Sequence, residues 1–268
     1  MIILTPLSFG RSLYLGKIGI NIWHNSTIIA EFPFALMLFY FSEKYLIKKE
    51  AVKYYNLLFL VCLVILIKPS YFLAFSVAFP VMNLIINYSI TKRIKIDWQV
   101  ILVVLTGLLL LFLQYIRIYG MNIVDSAAVT PRETKLMIDP FRVWSIHSKN
   151  ILFDLLMSIL YPLAFLIVYW KEIKQYKGYL YSILTFAVAL LIAILFIESG
   201  PRDFHANYFW TSYIANYILF LYSAALNLRL ILMRTHFLVK DYVLASIFGA
   251  HFLSGIYYII NLYVLKSF

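Results

Sequence analysis

Residues 98–116 read WQVILVVLTGLLLLFLQYI, nineteen positions without a charge. About 20 mostly apolar residues cover the hydrocarbon core of a bilayer as one helix. Seven more stretches read the same way. The eight candidate spans run over 27–45, 52–67, 70–90, 98–116, 151–170, 179–198, 208–232 and 242–264. The fold class that follows is all-α, a polytopic transmembrane helix bundle and a single membrane domain. Composition agrees. The 268 residues are 63% hydrophobic and 13% charged, against about 45–50% and about 25% in ordinary soluble domains. A water-soluble domain, a disordered chain and a disulfide module are thereby excluded. Cys62, the one cysteine, lies in an apolar run and reads as a small buried hydrophobe.

Net charge is +11. The charges fall in short clusters between apolar runs, which makes them topology signals and not a nucleic-acid surface. Lys44, Lys48, Lys49 and Lys53 follow the first span. Lys92, Arg93 and Lys95 follow the third, and Lys171, Lys174 and Lys177 the fifth. Arg229, Arg234 and Lys240 join the last two. These alternate loops are cytoplasmic by the positive-inside rule. Both chain ends then face outward. Residues 1–26 form an outer segment without a span or a signal-peptide pattern. An outward start of this kind normally follows an earlier helix, so the sequence is expected to be the C-terminal portion of a longer protein.

Between the second and third spans stands Lys68-Pro69-Ser70. Proline disfavours helix in the residue before it and suits a first helical position, so one helix ends at Lys68 and the next begins at Pro69. Residues 117–150 form the longest polar stretch, a long outer loop in which 141–146 reads as a short interfacial helix.

Three polar constellations gather on the outer side. The densest, ESGPRDFHANYFW over 198–210, reads as a helix break at Gly200-Pro201. Exposed amides with Arg202 suit an anion such as a phosphate. His205 suits a proton transfer, and Glu198 and Asn207 complete the set. The same residues also suit a salt-bridge knot that closes a turn. In the second, Asn21–Thr27 with Glu31, Ser26 or Thr27 caps the span, Glu31 falls near its first turn, and His24 and Asn25 are placed for a polar substrate. In the third, Lys68 neutralises a phosphate, pairs with Glu31 or Glu198, or snorkels. Inside the bundle, Asn83 and Asn87, then Ser212, Asn216, Ser223 and Asn227, then His251, Ser254, Tyr258 and Asn261 recur at helical spacing and read as interhelical glue. The five histidines have no metal-ligand spacing, no glycine-rich nucleotide loop occurs, and no metal or cofactor is implied.

Three segments, GKIGINIWHNSTIIAEFPFALMLF (16–39), IKPSYFLAF (67–75) and ESGPRDFHANYFW (198–210), resemble bacterial multi-pass proteins of surface-polysaccharide assembly. They are similar to glycosyltransferases of the C-type superfold. The resemblance implies an outward-facing enzyme of a bacterial inner membrane that takes sugar from a polyprenyl-phosphate carrier. Its catalytic acid would stand in the first outer loop, yet residues 1–26 hold no Asp or Glu. Glu31 and His205 are the catalytic candidates that remain; Lys68, Arg202, Glu198, His24, Asn25 and Asn207 are the substrate and phosphate candidates. Two other readings stay open. One is a non-catalytic accessory or truncated subunit with a membrane partner. The other is a permease or lipid-linked-sugar translocator, for which mid-membrane carboxylates are lacking.

Overall fold

The computed structural model describes Leu15 and residues 26–48, 52–117, 136–199, 206–234 and 236–260. Among them the order is α1 (Ser26–Ile47), α2 (Tyr54–Ile67), α3 (Ser70–Thr91), α4 (Trp98–Tyr115), β1 (Leu136–Ile138), α5 (Arg142–His147), α6 (Ile151–Ser158), α7 (Leu160–Ile173), α8 (Lys177–Leu195), β2 (Phe196–Glu198), α9 (Phe209–Leu232) and α10 (Val239–Ile259). The chain is an all-helical bundle with one small strand pair.

The expected eight spans are not met. Among the described residues, α3, α4, α8 and α9 are long and apolar enough to cross a membrane, and α6 with α7 makes a fifth if the bent pair counts as one. Helix α2 is apolar throughout but has 14 residues. That is about 21 Å of helix, against about 30 Å of hydrocarbon. Helix α1 has the length but holds Glu31, Pro33, Glu43 and Lys44. Helix α10 opens on Val239, Lys240 and Asp241 and carries His251. Neither joins the set.

The chain divides into two compact units. The first holds residues 26–143 and 183–215, the second residues 144–182 and 216–260 with Leu15.

In the first unit α2 packs on α1, α3 and α4, and α3 also packs on α1 and α4. Gly107 permits the approach of α4: a Cβ there would lie 2.3 Å from the Phe72 ring and 2.9 Å from Val61 Cγ1. Elsewhere α4 exposes Leu105, Leu109 and Phe112, a face at home against lipid tails. The turn from α3 to α4 is clamped by side chains. Asn83 Nδ2 donates to Asp97 Oδ2 at 2.9 Å, and the Asp97 amide donates back to Asn83 Oδ1 at 3.0 Å. Asn87 Nδ2 reaches the Lys95 carbonyl at 3.0 Å. The pair expected to glue helices together holds this turn closed, with Lys92 in the left-handed region at the end of α3.

The span expected through residue 198 stops being helical at Leu195. Residues 196–198 pair antiparallel with 136–138, Leu136 opposite Glu198. The last carbonyls of α8 are then taken by chain that follows β1: the Asp139 amide donates to Leu195 O and the Phe141 amide to Ile194 O, both at 3.0 Å. These bonds satisfy groups that a helix end otherwise leaves orphaned. Phe141 adopts φ 64° to make its bond. The long outer loop of the sequence reading thus contains β1 and, at Arg142–His147, the short helix expected over 141–146.

In the second unit the expected span 151–170 is broken. Helices α6 and α7 meet at 63°, with Ile159 non-helical between them. Pro162 explains the break. It has no N–H to give the carbonyl four residues back, at Ser158. The amide of Asn216 points to that carbonyl instead, at 3.4 Å. Elsewhere in the α9 polar stripe Asn227 Nδ2 donates to the Tyr161 hydroxyl at 3.2 Å and Ser223 Oγ reaches the Tyr179 hydroxyl at 3.5 Å, whereas Ser212 donates to the Phe209 carbonyl of its own helix.

Candidate functional site

The first unit encloses a cavity of about 720 Å³. Its polar lining comes from Lys68 and Ser70 at the hairpin from α2 to α3, Gln114 and Tyr115 near the end of α4, Glu198 on β2, and Asn207 and Tyr208 ahead of α9. Leu73, Leu111, Leu136, Ile192 and Phe196 make the apolar wall.

The hairpin owes its shape to proline. Lys68 precedes Pro69 and is extended, with φ −165° and ψ 127°, as the residue before a proline prefers. This ends α2 and turns the chain toward α3. The Lys68 ammonium lies 5.2 Å from the centre of the Trp210 ring, a cation–π distance. Burial lowers it from the ordinary 10.5 to about 8, against the opposing pull of Glu31 and Glu198. Gln114 Nε2 donates to the Ile65 carbonyl at 2.8 Å, which satisfies one of the last carbonyls of α2 and fixes that part of the wall.

Glu198 faces the cavity from the strand pair, and Asn207 Nδ2 donates to its Oε2 at 2.6 Å. Such a short bond to a charged acceptor orients the carboxylate. Thr211 donates to the Ser70 carbonyl at 2.8 Å and ties α9 to the hairpin.

Glu31 is the sixth residue of α1, just past its first turn. It is fully buried and is not on the cavity wall. Its Oε1 accepts the amide of Tyr71 at 2.7 Å. That amide is among those a helix leaves unsatisfied at its start, so Glu31 caps α3 from another helix. Its Oε2 has no hydrogen-bond partner among the described residues.

Of the eight candidate residues, Lys68, Glu198 and Asn207 come together at the cavity, and Glu31 acts on Lys68 through its charge. His24, Asn25, Arg202 and His205 lie outside the described residues. Neither a protein-family model nor a curated protein nor a solved structure matches this chain. The cavity also uses residues that the sequence reading passed over: Gln114, Tyr115 and Tyr208. The Gln114-Tyr115 pair at the tail of an otherwise apolar run was the available signal.

Proposed function

We propose that the cavity receives the head of a polyprenyl-phosphate-linked sugar and that the chain acts in surface-polysaccharide assembly as a glycosyltransferase. The observation that carries this reading is the pairing, in one cavity, of a single lysine with a carboxylate–amide pair and an apolar wall. An anionic phosphate suits Lys68. Sugar hydroxyls suit Glu198, Asn207 and Gln114, and the first isoprene units suit Leu73, Leu111 and Phe196. The volume falls within the roughly 300–1,000 Å³ of small-ligand sites, enough for a sugar phosphate but not for a whole polyprenyl tail. The tail would remain in the bilayer.

In this reading Glu198, not the buried Glu31, is the base. It takes the proton of the acceptor hydroxyl as that oxygen bonds to the anomeric carbon. The bond from that carbon to the carrier phosphate breaks, and the carrier leaves with its negative charge beside Lys68. We further propose that α1, α2 and α10 also cross the bilayer. The lysine-rich turns then alternate with the others, and the cavity opens to the outside of a bacterial inner membrane.

The test is sugar incorporation from a lipid-linked donor in membranes carrying Lys68→Ala or Glu198→Gln. Lys68→Ala is expected to weaken donor binding about tenfold, the loss of one charge-assisted contact. Glu198→Gln is expected to lower transfer about 100-fold with donor binding kept. Unchanged transfer in Glu198→Gln defeats the enzyme reading. Donor binding that needs Lys68 without any transfer identifies a carrier of lipid-linked sugar instead.

A further inference from the structure

The lysine- and arginine-rich turns read in the sequence as topology signals only. In the second unit, two of them are fastened into one surface. Lys240 Nζ stands 3.3 Å from Glu172 Oε1 and 3.8 Å from the centre of the Tyr169 ring. The Tyr169 hydroxyl donates to Asp241 Oδ1. Arg234 Nη1 donates to Asp241 Oδ2 at 3.1 Å and to the Tyr169 oxygen at 3.0 Å. The Leu238 amide closes on Asp241 Oδ2 at 2.8 Å. The Arg229 guanidinium lies 5.7 Å over the Tyr176 ring. Residues 171–177 and 229–241 therefore present a common face.

That face is unbalanced in charge. Lys171, Lys174, Lys177, Arg229, Arg234 and Lys240 stand against Glu172 and Asp241. Asp241 is 1% exposed and spends its charge inward on Arg234 and Tyr169. Lys171, Lys174 and Arg229 are exposed. Beside them Trp170, Met233, Phe237 and Tyr242 are also exposed, each at least half uncovered. Apolar and aromatic side chains next to cations are the mixture found where protein meets lipid headgroups. The face also stands at the end of α9, one of the helices long and apolar enough to span.

We propose that this face binds the headgroups of anionic phospholipids. The exposed cations hold the phosphates, and Trp170, Phe237 and Tyr242 enter the acyl boundary between them. The buried Asp241–Tyr169–Arg234 cluster keeps the two turns in register, so that the outer cations act as a group. The attraction is electrostatic and short-ranged, and salt weakens it.

The experiment is thermal unfolding of the full chain in neutral detergent. Phosphatidylglycerol or phosphatidylcholine is added at low and high salt. Phosphatidylglycerol is expected to raise Tm by about 5 °C, the scale of a ligand well above its Kd. Phosphatidylcholine is expected to leave Tm unchanged, and high salt to erase the rise. The triple variant Lys171→Gln, Lys174→Gln, Arg229→Gln is expected to lose at least half of the rise while matching the parent in phosphatidylcholine. Replacing the two lysines by arginine is expected to keep it. Three outcomes overturn the proposal. They are an equal rise with phosphatidylcholine, an undiminished rise in the triple variant, and an equal rise from soluble glycerol phosphate or an acidic peptide.

Discussion

Lys68 and Asp241 are both charged groups set among charges of the opposite sign, yet their surroundings lead to opposite consequences. Around Asp241 the polar groups consume one another. A tyrosine hydroxyl, a guanidinium and a backbone amide all point at its carboxylate, which is 1% exposed. Around Lys68 the carboxylates act on its charge and also serve other groups. Glu31 caps α3 and Glu198 accepts from Asn207, and Lys68 lines a cavity. A cluster closed on itself fastens helices, whereas a charge that lines a cavity can meet a ligand.

Three changes put pressure on that contrast. The largest effect is expected at Asp241. Asp241→Asn strands Arg234 and the Tyr169 hydroxyl against a neutral partner, and removing one member of a buried pair costs about 3 kcal/mol. Thermal unfolding in detergent measures it. A loss below about 1 kcal/mol would make the cluster as dispensable as a surface pair and dissolve the comparison.

Gly107→Ala comes next. The new methyl would meet the Phe72 ring at 2.3 Å, and overpacking of this kind costs about 2 kcal/mol. The same unfolding assay, with donor binding beside it, shows whether the wall holding Leu111 and Gln114 gives way. Unaltered stability would mean that α4 shifts freely on α2 and α3.

The smallest effect concerns pH. Lys68 titrates near 8, so its positive charge fades as pH rises through that value. Binding of an anionic donor is expected to weaken about tenfold between pH 7 and pH 9, and to recover on return. For folding the sign is reversed. Between about 8 and 10.5 the unfolded chain binds this proton better than the native one, so Lys68 makes the native state relatively more stable as pH rises. A flat binding profile across this range would remove Lys68 from the ligand.

The features that sequence made legible are those set by near neighbours. The break at Lys68-Pro69 follows from what proline does to the residue before it, and the apolar runs mark helices wherever they are long. The short helix after β1 was readable too. Less could be read where the cause lies far along the chain. Glu31 appears as a residue of its own helix, but its partner is an amide 40 positions on. Pro162 is visible in the sequence, but not that Asn216 would point to the carbonyl it abandons. Asn83 and Asn87 have helical spacing, which suggested a neighbouring helix; the acceptor and donor they meet belong to the turn that follows. The eight-span count overran in part because an apolar run does not give the length of its helix: the run over 52–67 reads as a span, but α2 has 14 residues. The cluster around Asp241 was hidden by its company, a lysine-rich turn that resembles any cytoplasmic loop.

The clamp on the turn from α3 to α4 bears on how the chain is made. Its bonds join residues 8 to 14 positions apart. Contacts so close in sequence carry little loop-closure entropy and form fast. The two helices can therefore pair while later segments are still being synthesised. Helix α4, which leaves most of its surface without protein cover, would enter the bilayer already leaning on a partner.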